Sequence, residues 1–281
     1  MRSRSFRSLG PAGFHKVAYT EWGDPANPRV LVCVHGLSRN GRDFDELASA
    51  LSDLYRVVCP DVVGRGESDY LPVKEHYDYK TYCADMAALV AATGAEEVDW
   101  VGTSMGGLIG MMLAALPHAP IRRMVLNDIG PVVAVEGLRR IAGYVGRDPR
   151  FPDFETAYAA IRGIATGFGP MSEQQWRRFV EVQLRREADG TYRLNYDPGI
   201  AWSLAQAPDA DIDLWQLWDA IRAPVFVLRG ALSDLLRPET VAEMRRRGPA
   251  CEAIEIDGVG HTPALVDAPQ IEAVRRFLTV A

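Results

Sequence analysis

Gly102-Thr103-Ser104-Met105-Gly106-Gly107 is the hexapeptide from which the rest of the chain can be read. A bare G-x-S-x-G recurs often by chance, so its neighbours carry the weight. Glu97–Val101 before it has the apolar character of a strand, and Met105–Leu116 after it reads as a helix. A serine on such a strand-to-helix turn takes strained backbone angles, and small flanking residues let strand and helix approach closely. Ser104 Oγ is then held above a sheet at a helix N-terminus, where partial positive charge favours an oxyanion. The bland alternative, a glycine-rich turn without chemistry, is set aside only by the partners that follow.

Outward from this turn, short β-branched runs alternate with longer helical patterns. Val30–Val34 stops at His35-Gly36, Tyr55–Cys59 at Pro60-Asp61, and Val98–Val101 at Gly102. Arg123–Leu126 stops at Asn127-Asp128, Pro224–Leu228 at Arg229-Gly230, and Cys251–Ile256 at Asp257-Gly258. Near-continuous apolar runs suit strands buried on both faces of a parallel sheet. Helical patterns lie over Gly41–Leu51, Tyr79–Ala92, Met105–Leu116, Pro238–Arg247 and Ala268–Val280. The alternation predicts an α/β, doubly wound fold. His15–Trp22 alternates apolar and polar residues, as an antiparallel edge strand does.

One interval breaks the rhythm. Pro131–Arg222 shows helical patterns (Glu136–Val145, Phe154–Ala165, Ser172–Arg186) and no parallel-strand signal. An insertion of that length between sheet strands is expected to be a helical cap. The expected organisation is therefore a core of residues 1–130 and 223–281 with a cap over 131–222. Four of the six tryptophans fall in the cap (Trp176, Trp202, Trp215, Trp218), either packing it or lining an apolar pocket.

A serine hydroxyl needs a base. Of five histidines, His15 sits on the early strand, His76 in a polar loop, and His118 at a helix end. His35 precedes Gly36 after a buried strand and suits a turn-shaping role. His261, in Gly258-Val259-Gly260-His261-Thr262-Pro263, follows the last strand, and catalytic groups of open α/β sheets gather at such C-terminal ends. It is the expected base. The imidazole in turn needs a carboxylate. Asp234, in Arg229-Gly230-Ala231-Leu232-Ser233-Asp234, is the expected acid and completes the order Ser, Asp, His. Asp128, which also ends a strand, is its rival, with a structural reading as a cap on backbone N–H groups. The oxyanion donors are expected to be the backbone N–H groups of Met105 and Leu37. Arg39, just beyond that loop, could receive a substrate carboxylate or serve a capping role.

Composition closes off other classes. The 281 residues are 48% hydrophobic and 24% charged, as in ordinary globular chains. A net charge of −6 argues against nucleic-acid or anionic-membrane partners. The arginine pairs are scattered among helical patterns and read as solvated faces. Cys33, Cys59, Cys83 and Cys251 lack metal-ligand spacing, and Cys33, Cys59 and Cys251 fall in apolar runs that suit buried thiols. No metal or cofactor is expected. The basic Met1–Phe6 lacks the apolar stretch of a signal peptide, and Met105–Leu116 is too short to span a bilayer. The expectation is a soluble cytoplasmic protein.

With these residues in place the chain resembles the α/β-hydrolase fold family along nearly its whole length. The resemblance rests on His35-Gly36, Asp61-Val62-Val63-Gly64-Arg65-Gly66-Glu67-Ser68-Asp69, the Ser104 turn, Gly230–Asp234 and Gly260-His261. It implies an eight-stranded, mostly parallel sheet with a cap inserted after the sixth strand, and no cofactor. It assigns the Asp61–Asp69 stretch a structural turn rather than catalysis. Serine at position 104 departs from epoxide hydrolases and haloalkane dehalogenases, which carry aspartate there. The activity expected is hydrolysis of a small carboxylic ester through a Ser104–His261–Asp234 triad. Carbon–carbon bond hydrolysis, lactone opening, acyl transfer, peracid formation and a ligand-sensing receptor role stay open alongside it.

Overall fold

Every residue of Val30–Val34 is buried, and a strand with no polar face must lie inside a sheet covered on both sides. In the computed structural model of the chain, which describes residues 1–165 and 167–279, it does so. Eight strands form the main sheet: β1 (Arg2–Gly10), β2 (Gly13–Trp22), β3 (Val30–Val34), β4 (Arg56–Pro60), β5 (Val98–Thr103), β6 (Ile121–Asn127), β7 (Val225–Gly230) and β8 (Cys251–Ile256). Their order across the sheet is β1-β2-β4-β3-β5-β6-β7-β8. Neighbours from β4 to β8 run parallel, while β2 is antiparallel to both β1 and β4. The expected α/β class and mostly parallel eight-stranded sheet are thus observed.

Two differences have simple causes. The antiparallel segment at His15–Trp22 is real but is not the edge, because β1 pairs along its length. β1 (RSRSFRSLG) is largely exposed, so no buried face marks it in the sequence. At the opposite edge β8 is only partly buried, and Cys251 with it, whereas Cys33 and Cys59 are fully enclosed.

Five helices flank the sheet: α1 (Asp45–Leu51), α2 (Tyr79–Thr93), α3 (Met105–Ala114), and, late in the chain, Pro238–Met244 and Ala268–Thr279. The expected extension of the last of these to Val280 lies outside the described residues. α2 is bounded by Asp78, which accepts from the Thr81 N–H, and by Gly94 in the left-handed region, a start and a stop readable in the sequence. The sheet divides the apolar interior in two. One side packs β3 and β5 against α2 and α3 around Trp100, and the other packs Leu31, Val101 and Phe226 against α1 and the C-terminal helix.

Between β6 and β7 the chain leaves the sheet. It forms helices α4 (Val135–Ala142), α5 (Phe154–Ile164), α6 (Glu173–Glu181), α7 (Trp202–Ala205) and α8 (Trp215–Ala220). α6 starts with a capping box between Ser172 and Gln175 but stops short of Arg186. Leu184–Arg186, expected as helix, pairs instead with Tyr192–Leu194 in a small hairpin. α5 and α6 enclose a separate apolar cluster of Tyr158, Ile161, Ala165, Trp176 and Val180. The segment is tied to the sheet layer through Asn195–Asp197, which exchanges backbone hydrogen bonds with Gly64 and Gly66. Trp218 is buried against the main core and Trp176 within the small one, so both serve packing.

Candidate active site

The turn at Ser104 is built by absent side chains. A Cβ on Gly106 would lie 2.0 Å from the Val34 carbonyl oxygen, and one on Gly102 2.5 Å from the Gly106 backbone. Only glycine at both positions lets α3 start this close to β3 and β5. The turn forces Ser104 to φ 50° and ψ −112°, an energetically costly conformation for a residue with a Cβ. Its N–H is fixed by the Asn127 carbonyl on β6, 3.0 Å away. Met105 opens α3, so its N–H has no acceptor within the helix.

His261 stands across from this serine. Its Nε2 is 3.0 Å from Ser104 Oγ, and its Nδ1 is 2.7 Å from Asp128 Oδ2. With Nδ1–H donating to the carboxylate, Nε2 is left to accept the Ser104 hydroxyl. Asp128 is fully buried and follows β6 directly, at φ 56°. Its Oδ1 accepts the Gly230 N–H at 2.8 Å, and its Oδ2 also accepts the Ser233 hydroxyl. Asn127 adds a brace, donating to Thr103 Oγ1 and to the Pro263 carbonyl beyond the histidine.

Asp234 is not at the imidazole. Its two oxygens accept from Arg140 of α4, Nε to Oδ2 at 2.5 Å and Nη2 to Oδ1 at 2.7 Å. That hydrogen-bonded pairing holds its carboxyl below the usual range, and its side chain stays partly open to solvent. The structure therefore brings together Ser104, His261 and the rival Asp128, and gives the expected acid Asp234 an arginine instead. The physical reason is position. Asp128 leaves a strand adjacent to the one carrying Ser104, whereas Asp234 lies four residues beyond its own strand and within reach of α4.

The loop expected to supply the second oxyanion donor is braced from below. His35 is buried, its Nδ1–H donates to the Gly36 carbonyl at 2.7 Å, and its Nε2 accepts the Val62 N–H at 2.9 Å. Burial pushes the imidazole down to about 3, so it stays neutral and shapes the turn. Arg65 is fully buried as well. Its Nε donates to the Leu37 carbonyl at 2.8 Å, Nη1 to the Val63 carbonyl and the Tyr82 hydroxyl, and Nη2 to Met105 Sδ at 3.5 Å. No carboxylate among the described residues lies within ion-pair distance of it. One guanidinium thus joins the loop of Leu37 to the side chain of Met105. Sequence reading gave Arg65 no part in the site, and its place inside the Asp61–Asp69 turn was the available signal. Asp61 itself receives the Gly41 and Glu67 N–H groups, and burial raises its carboxyl to about 6.

Beginning one residue past Leu37, a cavity of about 320 Å³ is lined by Ser38, Arg39, Tyr144, Arg147, Phe168 and Phe179 among others. Aromatic lining comes from phenylalanine and tyrosine rather than tryptophan. Arg39 pairs with Asp43 through Nε and Nη2 and stacks 3.7 Å from the Phe179 ring centre. Among the described residues no helix is long and apolar enough to cross a membrane.

Comparison with known proteins places this geometry in context. The profile of the alpha/beta hydrolase fold matches residues 29–268. The 3-hydroxybutyrate-oligomer hydrolase of Cupriavidus necator is 48% identical over 97% of this chain and 96% of its own. An esterase of Mycobacterium tuberculosis is 28% identical over 93% of this chain and 86% of that protein. Among solved structures, an alpha/beta hydrolase from Novosphingobium aromaticivorans superposes with a TM-score of 0.87 at 37% identity, covering 99% and 97% of the two chains.

Proposed function

Since the chain belongs to the alpha/beta hydrolase fold family and is an ester-hydrolysing enzyme, we propose that it cleaves short oligomers of 3-hydroxybutyrate through an acyl-enzyme on Ser104. The observation that carries this reading is the 48% identity, across almost the full length of both chains, to a hydrolase of such oligomers. Ser104 Oγ attacks the ester carbonyl while its proton passes to His261 Nε2. Asp128 holds Nδ1–H and balances the imidazolium that forms. The N–H groups of Leu37 and Met105 hold the carbonyl oxygen as it becomes an oxyanion, each such donor contributing about 3 kcal/mol to the barrier reduction.

His261 then gives its proton to the departing alkoxide, which leaves as an alcohol. Water attacks the acyl-serine, loses a proton to His261, and the acid is released as that proton returns to Ser104 Oγ. Residues 131–222 act in this scheme as the cap that selects substrate over a core of 1–130 and 223–281. All four cysteines are unpaired, which suits action in the reducing cytoplasm.

The test is release of 3-hydroxybutyrate from its linear dimer and trimer by the wild-type protein and Ser104→Ala. Wild type is expected to release the monomer and the variant to release none. Equal release by the two proteins would remove Ser104 from the chemistry. Cleavage of a simple aryl ester without any cleavage of the oligomers would retain the esterase and discard the substrate.

A further inference from the structure

The cavity of about 320 Å³ adjoins two segments that also meet the candidate site. Ser38 and Arg39 follow Leu37 directly, and the position of a Cβ on Gly36 is 3.8 Å from both Arg39 Cγ and Ser104 Cβ. Phe168, also in the wall, follows Gly167, whose carbonyl accepts the Gly260 N–H at 2.7 Å, next to His261. Its rim at Ser38 and Arg39 thus continues from the Gly36–Leu37 loop that adjoins Ser104.

Its chemistry is lopsided. Most of the wall is apolar, and among the described residues its charged side chains are two arginines and no carboxylate, in a chain whose net charge is −6. Asp43 takes Nε and Nη2 of Arg39 and leaves Nη1 without a protein acceptor among the described residues. Arg147 has no ion-pair or side-chain hydrogen-bond partner there either, although neighbouring Asp148 pairs with Arg193. An apolar wall with two open guanidinium edges matches a short aliphatic chain that ends in a carboxylate.

We propose that this cavity binds the carboxylate end of a short hydroxyacid oligomer, with Arg147 and the free edge of Arg39 receiving the terminal carboxylate. The proposal deepens the esterase reading above and rests on it. In a linear hydroxyacid oligomer the free carboxylate always belongs to the alcohol side of every ester. The cavity is thus the leaving-group subsite, and the enzyme works from the carboxyl end.

Two probes separate the subsite from the activity: the linear 3-hydroxybutyrate dimer as its free acid, and the same dimer as its methyl ester. Wild type is expected to favour the free acid by about tenfold in kcat/KM, the scale of one or two charge-assisted hydrogen bonds. Arg147→Gln, on the exposed rim, is expected to raise KM for the free acid toward that of the methyl ester, bringing the ratio of their kcat/KM values close to one. Arg39→Gln should act in the same direction. Calorimetry on Ser104→Ala, with and without Arg147→Gln, reads the subsite without turnover, and about tenfold weaker binding of the free acid is expected in the double variant. Equal use and equal binding of the two dimers, or a preference that survives Arg147→Gln, overturns the subsite. Arginine-dependent binding of the free acid with no cleavage of either dimer would keep the subsite and overturn the substrate reading.

Discussion

Two loops leave neighbouring strands at the same end of the sheet, and each carries an aspartate. After β6, Asp128 is fully buried and accepts a backbone N–H, a serine hydroxyl and the His261 Nδ1–H. After β7, Asp234 is partly exposed and spends both oxygens on Arg140. The loops are even entangled, since Ser233, the residue before Asp234, donates its hydroxyl to Asp128. Chain order and position at a strand end therefore do not decide which carboxylate reaches the imidazole. Burial, a tight backbone turn and the absence of a competing cation do.

Neutralising each carboxylate in turn separates the two aspartates. Asp128→Asn is expected to lower kcat by about 10³–10⁴-fold, because the imidazole loses both its orienting acceptor and its counter-charge. Asp234→Asn is expected to change kcat by less than about tenfold, the scale of a partly exposed ion pair. Steady-state kinetics on one ester substrate check both.

A smaller effect is expected at Arg65. Replacing it with Met strands the Leu37 carbonyl and frees the loop, and should lower kcat by about 10–100-fold with little change in KM. Arg65→Lys, which keeps the charge but not the planar fork, should recover only part of that loss. A rise in KM alone would contradict a positioning role.

The smallest effect concerns stability. His35 has its folded-state pKa depressed to about 3 from 6.5. As pH falls, the unfolded chain takes up this proton first, so its contribution is complete above about 6.5 and is lost progressively toward pH 3. In His35→Gln that acid-sensitive share is missing, and the stability gap between wild type and variant should shrink from pH 7 to pH 4. Asp61 titrates in the opposite sense in both proteins and cancels from the difference. Urea titrations at several pH values read the gap, and a gap that widened toward acid would contradict the assignment.

Much of this is legible in the sequence alone. The buried strands announce themselves as unbroken apolar runs, and Gly102, Gly106 and Gly107 mark a strand and helix in contact. Ser104 and His261 follow from those local patterns. The acid does not, because the choice depends on Arg140, 94 positions away, capturing one carboxylate and leaving the other to the histidine. Arg65 was hidden for a related reason. In sequence it is one charged residue in a turn, and only packing shows that it is buried and grips Leu37. β1 escaped notice because its largely exposed residues bury almost nothing, so its pairing leaves no periodic trace.

In the proposed mechanism Asp128, through His261, activates Ser104. A serine-directed fluorophosphonate tests it without reference to any natural substrate. The rate of covalent labelling at Ser104, followed by intact mass, is compared among wild type, Asp128→Asn and Asp234→Asn. Near-equal labelling of wild type and Asp234→Asn, with Asp128→Asn slower by orders of magnitude, is the expected result. Rapid labelling of Asp128→Asn beside an inert Asp234→Asn would contradict it.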